Sequence, residues 1–494
     1  MLRKIRITLA VIFYLMITLL FLDFTGTLHT WFGWMAKIQF LPALLALNLG
    51  VVLGLIVLTL LFGRIYCSVI CPLGVFQDII SWFGGRSKKR RYRFSYSPAK
   101  NILRYSILII FLIALIGGIG SLAALLAPYS AYGRIAQNLF APFYAWGNNV
   151  LAYWAERADS YAFYETEVWL KSVPTFIIAL LTFIFVFILA WRNGRTYCNT
   201  ICPVGTILSF LAKWSWFKPV IDSEKCNSCS LCSRKCKSAC IDFKNHQIDY
   251  SRCIACMDCI DACKHQAISY RHPKKSEKAV TPKPTDQSRR SFLTTTALVA
   301  TTATIKAQEM KVDGGLAAIE DKKVPKRNTP ILPPGSQNAR HFAQHCTACQ
   351  LCVSVCQNGV LRPSTDLQRL MQPEMSYERG YCRPECKKCS EVCPTGAIKL
   401  TDLAEKSSTQ IGHAVWIKAN CIPLTDGVAC GNCARHCPTG AIHMIPSDTS
   451  DPESLKIPAI DVERCIGCGA CENLCPSRPF SAIYVEGHKQ HRII

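Results

Sequence analysis

Hydrophobic residues are not spread evenly along this chain but form four long stretches within its first 200 residues. Each stretch is long enough for an α-helix to cross a bilayer, which takes roughly 17–25 residues. Backbone groups in lipid must bond to one another, so helix is the structure that the pattern predicts. The predicted spans are residues 5–24, 40–62, 102–127 and 174–191.

Lys and Arg are divided unequally between the segments that join these spans. The N-terminus, the loop after the second span and the segment after the fourth span are rich in both, including the run Lys88–Arg91. The opposite side has only Lys37, Arg134, Arg157 and Lys171. Because cytoplasmic loops are the positively charged ones, we expect an inner-membrane protein whose N-terminus and residues after the fourth span are cytoplasmic.

Cysteine dominates the chain outside the spans. The 494 residues include 29 Cys, and most fall in runs of four at short intervals. Such runs suit a compact metal cluster and pair poorly as disulfides. The formal charge of +23 invites a nucleic-acid interpretation. We reject it for two reasons. Much of the excess positive charge lies in loops beside the spans, where it sets the membrane topology, and each 4Fe–4S cluster with four thiolates carries a charge of about −2.

Two of these runs lie in residues 219–272 and have the bacterial ferredoxin spacing C-x2-C-x2-C-x3-C. In that pattern three close thiolates hold one cluster, and the fourth Cys crosses to the neighbouring cluster. We therefore predict two 4Fe–4S clusters, one on Cys226, Cys229, Cys232 and Cys263 and the other on Cys253, Cys256, Cys259 and Cys236.

Cys240 is the one Cys of this segment outside the pattern. It follows Cys236 by four residues, at a position where Ala267 follows Cys263 and Ala397 follows Cys393. We therefore expect Cys240 to pack rather than to bind iron.

Residues 330–494 contain four more runs, which predict four further clusters. Three end in Cys-Pro, and two have a longer first interval, which makes them loop variants. The sequence leaves open whether neighbouring motifs exchange ligands or whether the first pairs with the last. The sets are Cys346, Cys349, Cys352 and Cys356; Cys382, Cys386, Cys389 and Cys393; Cys421, Cys430, Cys433 and Cys437; and Cys465, Cys468, Cys471 and Cys475.

An internal repeat accounts for the remaining cysteines. Residues 63–74 match residues 194–205 in the pattern Gly-Arg-x-Tyr-Cys-x3-Cys-Pro-x-Gly, and each copy follows an even-numbered span. One copy supplies only two ligands, whereas both together supply four. We predict one shared 4Fe–4S cluster, a seventh, on Cys67, Cys71, Cys198 and Cys202. The alternatives are two structural turns or a dithiol redox pair.

A short segment before the last four motifs resembles a twin-arginine export signal. Arg289 and Arg290 precede Phe292-Leu293 and a weakly apolar run. We expect a fifth crossing here, which would make residues 330–494 periplasmic. The predicted organisation is a four-span α-helical membrane domain (1–218), a cytoplasmic two-cluster ferredoxin domain (219–272), a linker with the signal (273–329) and a four-cluster domain (330–494). We expect both cysteine-rich domains, 219–272 and 330–494, to have an α+β ferredoxin-like fold.

Together these features resemble the NapH and NapG components of periplasmic nitrate reductase systems, joined in one chain. The NapH-like part is residues 1–272, which is also similar to the membrane half of NosR-type proteins, and the NapG-like part is residues 288–494. The resemblance implies that quinol from the membrane pool is oxidised and that electrons reach a periplasmic cytochrome or reductase. Lys237 and Lys264 stand where the motif usually has Pro, and this departure leaves the partner open.

Three functional hypotheses follow. The first is an electron conduit from quinol to the periplasm, the second is a maturation or reactivation factor that reduces the cofactor of a periplasmic metalloenzyme, and the third is a membrane scaffold. No catalytic triad, phosphate loop or dinucleotide motif is present, so any enzymatic activity would be quinol oxidation. Asp23 and His29 are candidate proton acceptors, with polar residues at the membrane surface as the alternative.

Overall fold

The computed structural model describes residues 1–86, 94–160, 162–273, 320–399 and 402–494. The predicted twin-arginine segment and the run Lys88–Arg91 lie outside these residues. Below, residues 1–218 are called the helical domain, residues 219–272 the central module and residues 330–494 the C-terminal domain.

The helical domain is built from fourteen α-helices in its described residues, with a π-helical turn at Ala136–Phe140. The helices are α1 Leu2–Leu22, α2 Thr27–Phe32, α3 Trp34–Lys37, α4 Phe40–Leu45, α5 Leu49–Phe62, α6 Ile65–Val69, α7 Pro72–Gly84, α8 Asn101–Ile116, α9 Gly120–Leu126, α10 Pro128–Ile135, α11 Ala141–Arg157, α12 Val173–Asn193, α13 Thr196–Thr200 and α14 Pro203–Ala212.

Two of these helices, α1 and α12, are long and apolar enough to cross a membrane. A four-span domain is not confirmed, because the structure divides the other two predicted spans into shorter helices. The second is broken between α4 and α5, where Leu47 is left-handed (φ 53°) and the Asn48 side chain caps α5 by accepting a bond from the Val51 amide. The third is broken after α8, where Gly118 is left-handed (φ 73°).

The chain between α1 and α5 folds back along α1 instead of staying at its end. The Trp34 ring packs edge-on against Phe13 in the middle of α1, with 6.5 Å between ring centroids. The Gln39 amide oxygen accepts a 3.0 Å bond from the Tyr66 hydroxyl, and its nitrogen donates to the Ile70 carbonyl. This segment is therefore packed against the turn that carries the first Cys pair.

The central module has a small α+β fold. Strand β1 (Lys218–Ile221) pairs antiparallel with β4 (Ile268–Arg271), and β2 (Ile241–Asp242) pairs with β3 (Gln247–Ile248). Each half carries one short helix that contains the third Cys of its motif. These helices are α15 (Leu231–Lys235) and α16 (Asp258–Ala262). The two helices pack on each other, so the halves face one another as the ligand exchange requires.

The C-terminal domain is a larger α+β unit whose long strand pair joins its end to its middle. Strand β10 (Ile483–Ile493) pairs antiparallel with β7 (Thr409–Trp416), and β8 (Ile442–Asp448) forms a hairpin with β9 (Asp451–Ile460). The remaining elements are α17 Ala339–His345, α18 Leu351–Ser354, β5 Leu361–Pro363, β6 Pro373–Met375, α19 Lys388–Val392, α20 Leu403–Ser408, α21 Ile422–Thr425, α22 Asn432–Arg435 and α23 Ala470–Leu474, with 3-10 turns at Leu367–Arg369 and Lys418–Asn420.

Residues 320–329, which the sequence assigns to the linker, lie against this domain. The Lys322 ammonium donates to the carbonyls of Glu472 and Cys475 at 2.6 and 3.0 Å, and the Arg327 guanidinium pairs with the Glu472 carboxylate.

The two cysteine-rich units dock at opposite ends of α1. At its N-terminal end the Arg3 guanidinium lies 2.8 Å from the Asp258 carboxylate of the central module. Just past its other end the Lys388 ammonium of the C-terminal domain donates to the Thr25 carbonyl at 2.8 Å. At about 1.5 Å per residue these points are separated by about 30 Å along the helix axis, close to the thickness of a bilayer core.

Candidate iron–sulfur centres

The compact Cys motifs share one unusual backbone shape. In four of them the residues two and four places after the first Cys are left-handed, whatever their side chain. Such alternation turns successive amide groups toward one side and forms a concave nest that favours negative charge. The pairs are Ser228 and Ser230, Ala255 and Met257, Ala348 and Gln350, and Gly467 and Gly469.

In the central module the structure brings together the two predicted Cys sets. One small cavity is lined by Cys226, Cys229, Cys232 and Cys263, and a second by Cys236, Cys253, Cys256 and Cys259. Each cavity thus receives three sulfurs from one motif and one from the other. Cys240, which the sequence predicts to pack, lines the second cavity and is buried, with its sulfur 3.4 Å from that of Cys236.

In the C-terminal domain the fourth Cys of each of the first two motifs lies near the cysteines of the other motif. Burial and the nearby charge of Cys393 raise the pKa of Cys346 and Cys352, which belong to the first motif. Burial and the charge of Cys356 likewise raise the pKa of Cys389 in the second motif. These contacts favour one site formed by Cys346, Cys349 and Cys352 of the first motif together with Cys393 of the second.

The last two motifs place their fourth cysteines in the same manner. Cys475 lines one cavity together with Cys421, Cys430 and Cys433. Cys437 lies near Cys465, Cys468 and Cys471, where its charge adds to burial in raising the pKa of each. The arrangement therefore favours pairing of neighbouring motifs over pairing of the first motif with the last. The pairs meet where the Cys382 amide donates to the Cys468 carbonyl at 2.9 Å.

The four cysteines of the internal repeat also converge, although they are 127 or more residues apart between copies. Each is only 4% exposed. Burial raises the pKa of Cys71 and Cys202, and the charges of the other cysteines raise it further. The Gln77 amide of the first copy donates to the Cys198 sulfur of the second at 3.2 Å. These cysteines are called the paired-repeat site below.

Two buried arginines cross between the copies at this site. Arg64 donates to the Cys198 carbonyl at 3.2 Å and lies 3.9 Å from the Cys67 sulfur. Arg195 does the reverse, donating to the Cys67 carbonyl at 2.8 Å and lying 3.8 Å from the Cys198 sulfur. Two positive charges therefore flank the four sulfurs, which is what a buried anionic cluster requires.

The last glycine of each repeat leaves room for the arginine of the other. A Cβ on Gly74 would stand 2.3 Å from the Cys67 oxygen and 2.7 Å from an Arg195 nitrogen. A Cβ on Gly205 would stand 2.4 Å from the Cys198 oxygen and 2.8 Å from an Arg64 nitrogen. The Gly-Arg-x-Tyr-Cys-x3-Cys-Pro-x-Gly pattern thus describes one two-fold arrangement.

A buried charge network joins this site to the central module. The Asp78 carboxylate binds Arg195 and Arg6 at 2.9 and 3.0 Å, and Lys237 at 3.5 Å. Burial alone would raise the pKa of Asp78, but the charges of Arg195 and Lys237 outweigh it and hold the pKa well below its usual range. Lys237 also binds Asp258 at 3.0 Å.

Helix α10 lies between the paired-repeat site and the C-terminal domain. The Tyr132 ring packs against Phe76 of α7, the helix that follows Cys71, with 6.2 Å between centroids. A Cβ on Gly133 would be 2.4 Å from the Cys349 carbonyl. The central module is thus followed by the paired-repeat site, then by α10, and then by the C-terminal domain.

Of the candidate proton acceptors, Asp23 directly follows α1 and His29 lies in α2. The Asp23 carboxylate accepts bonds from the amides of Thr25, Gly26 and Leu28 and lies 3.3 Å from His29 Nδ1. Its bonds all belong to this junction of α1 and α2, which indicates a structural role.

These sulfur sets fit 4Fe–4S clusters better than single ions. Among the residues that the structure describes, no three His, Cys, Asp or Glu side chains are close enough to hold one metal ion. A cubane binds one sulfur at each of its four irons and keeps them farther apart. Backbone amides donate to the ligand sulfurs, as from Ala267 to Cys263 and Ala441 to Cys437, at 3.3 and 3.2 Å.

The sequence interpretation missed Arg64, Arg195, Gln77 and Asp78. The repeat itself contains the signal for the first two, because both copies keep Arg three residues before the first Cys. Gln77 and Asp78 have no counterpart in the second copy, where Leu208 and Ser209 stand, so the repeat gives no signal for them.

Comparisons with known proteins agree with this chemistry. A family model described as a 4Fe–4S binding domain matches residues 44–91 and again 175–221, one match on each repeat copy. A 4Fe–4S dicluster domain matches residues 427–478, and another 4Fe–4S binding domain matches 246–269. No solved structure matches the chain.

Among relatives, the ferredoxin-type protein MauM of methylamine utilization in Methylobacillus flagellatus is 31% identical over 176 residues, which are 33% of this chain and 70% of that protein. The chain belongs to the family of ferredoxin-type proteins that includes MauM, and its homologues also include Nap-type polyferredoxins. NapF of Escherichia coli is 26% identical over 36% of this chain and all of its own length. NapG of Haemophilus influenzae is 26% identical over 33% of this chain and 63% of its own.

The prediction of several 4Fe–4S clusters is thereby confirmed for this ferredoxin-type protein, and its role is iron–sulfur electron transfer. When bound, the clusters supply one-electron redox chemistry.

Proposed function

We propose that this ferredoxin-type protein carries electrons across the bacterial inner membrane, from the quinol pool to a periplasmic redox partner such as a cytochrome or reductase of a nitrate reductase system. It holds seven 4Fe–4S clusters, two in the central module, one at the paired-repeat site and four in the C-terminal domain. The observation that carries the proposal is the continuous series of cysteine sets, with the two soluble units at opposite ends of α1.

The membrane orientation follows from that series. Helices α1 and α12 cross the bilayer, and the broken pairs α4–α5 and α8–α9 complete a four-span domain with its gaps closed by neighbouring helices. The central module is cytoplasmic, because it binds the Arg3 end of α1, the positively charged side. The C-terminal domain is periplasmic, and the twin-arginine segment is the signal for its export.

The internal order of sites supports one route. Quinol releases two electrons and two protons, whereas clusters accept electrons singly, so quinol must be oxidised beside a first cluster. The paired-repeat site is the set attached directly to the spans, and α10 connects it to Cys349. We place electron input at the paired-repeat site and output at the C-terminal set.

The proposal is tested on membranes that contain the full-length protein. Adding a quinol analogue should reduce the clusters, and Cys198→Ser should block reduction of the C-terminal four. Cys229→Ser is the matched control: it also removes one ligand, but from the central-module set farthest from the paired repeat, so the C-terminal clusters should still be reduced at the normal rate.

Normal reduction of the C-terminal clusters in Cys198→Ser would overturn the route. Electrons would then enter elsewhere, and one further cavity suits that outcome. It lies between the end of α1 and the C-terminal domain, is lined by Phe24, Tyr144 and Trp169, and includes Ser354, the last residue of α18.

A further inference from the structure

Cys240 is a fifth thiol at a site that needs four. Its side chain is 2% exposed, and its sulfur lies 3.4 Å from the Cys236 sulfur in a cavity that Cys253 also lines. Cys236 and Cys253 come from different motifs and are both proposed ligands of the second central cluster. The thiol therefore lies beside that ligand set, within hydrogen-bond distance of Cys236.

The position is special to this half of the module. Ala267 follows Cys263 at the same interval, and its amide donates to the Cys263 sulfur at 3.3 Å. Ala397 and Ala441 take the place in the C-terminal domain. The fold thus needs only a small side chain at this place in these motifs, and the thiol of Cys240 adds a donor where they have alanine.

We infer that Cys240 tunes the second central cluster by donating a hydrogen bond to the sulfur of Cys236. A hydrogen bond to a ligand sulfur stabilises the reduced state, which carries one more negative charge, and so raises the reduction potential. Cys240 is a positioning and tuning residue, not a ligand.

The affected cluster is the one next to the helical domain. Arg64 donates to the Ser251 carbonyl, two residues before Cys253, at 3.1 Å, and the Arg195 amide donates to the Lys237 carbonyl, beside Cys236, at 2.9 Å. Cys240 therefore makes the cluster facing the paired repeat easier to reduce than its neighbour on Cys226, Cys229, Cys232 and Cys263. The inference rests on the proposed clusters of the central module but not on quinol or on any partner.

The test is an EPR-monitored redox titration of the purified full-length protein, together with its iron content. Cys240→Ala should keep the iron content and shift one component to lower potential. Cys240→Ser keeps a donor and should stay close to the parent protein. Ala267→Cys moves the thiol to the other half and should raise the potential of the other central cluster.

Two results would overturn the inference. A Cys240→Ala protein that loses four iron would make Cys240 a ligand, and one with unchanged iron and unchanged potentials would make it a packing residue. Both readouts are independent of electron route, so a failed quinol experiment leaves this test intact, and the reverse also holds.

Discussion

Arg195 of the second repeat donates a 2.8 Å bond to the Cys67 carbonyl of the first, directly over Gly74. Gly74→Ala places a methyl group 2.3 Å from that carbonyl and 2.7 Å from the guanidinium, and neither can move without opening the site. We expect the purified variant to lose one cluster, about four iron per chain, and its EPR signal.

Gly54→Ala is the control for this substitution. Gly54 lies within α5, and an added Cβ there meets nothing within 4 Å. The variant should keep all its iron and gain about 0.5–1 kcal/mol in helix stability. If Gly74→Ala also keeps its iron, the crossing of the arginines is not required for the site.

Arg64 should set the potential of the paired-repeat cluster more strongly than Arg195. The Arg195 charge is neutralised by Asp78, whereas Arg64 binds uncharged oxygens of Asn199, Ser251 and Cys198. Arg64→Gln should therefore lower the reduction potential measured by redox titration. Arg64→Lys keeps the charge but not the forked set of donors, so its reduction potential should lie between those of Arg64→Gln and the parent protein. Equal potentials in all three proteins would contradict this assignment.

Total iron counts the clusters directly. Anaerobically purified protein should contain about 28 iron per chain, seven clusters of four. Cys67→Ser should contain about 24 and lose one EPR signal while six remain. A value of about 24 in the unmodified protein would mean that the paired repeat holds dithiols rather than a cluster.

Reporter fusions test the orientation of the helical domain. Fusions after Ser81 and after residue 272 should be active in the cytoplasm, and those after Thr30, Glu156 and the C-terminus in the periplasm. The expectation rests on the contacts at the two ends of α1, where Arg3 and Thr25 bind the two cysteine-rich units. A cytoplasmic C-terminus would place all clusters on one side and contradict the proposed output.

The sequence predicts the cofactor well because the spacing of cysteines is a local property. It predicts the helical domain less well, since apolar windows do not register a single left-handed residue such as Leu47. Gly117 and Gly118 could have marked the second break, because paired glycines favour one. The crossing of Arg64 and Arg195 depends on how two copies 131 residues apart meet, which neither copy encodes alone.

The partners of α1 also fix when the protein is complete. Helix α1 contacts Asp258 and Lys388, which are synthesised long after it, and the chain from α10 through the π-helical turn contacts Cys349 and Gln350, the latter accepting a 2.9 Å bond from Asn138. These contacts join residues that are more than 200 positions apart, which slows folding because distant parts of the chain must meet. The helical domain therefore reaches its final packing only after the C-terminal domain has been synthesised and has docked.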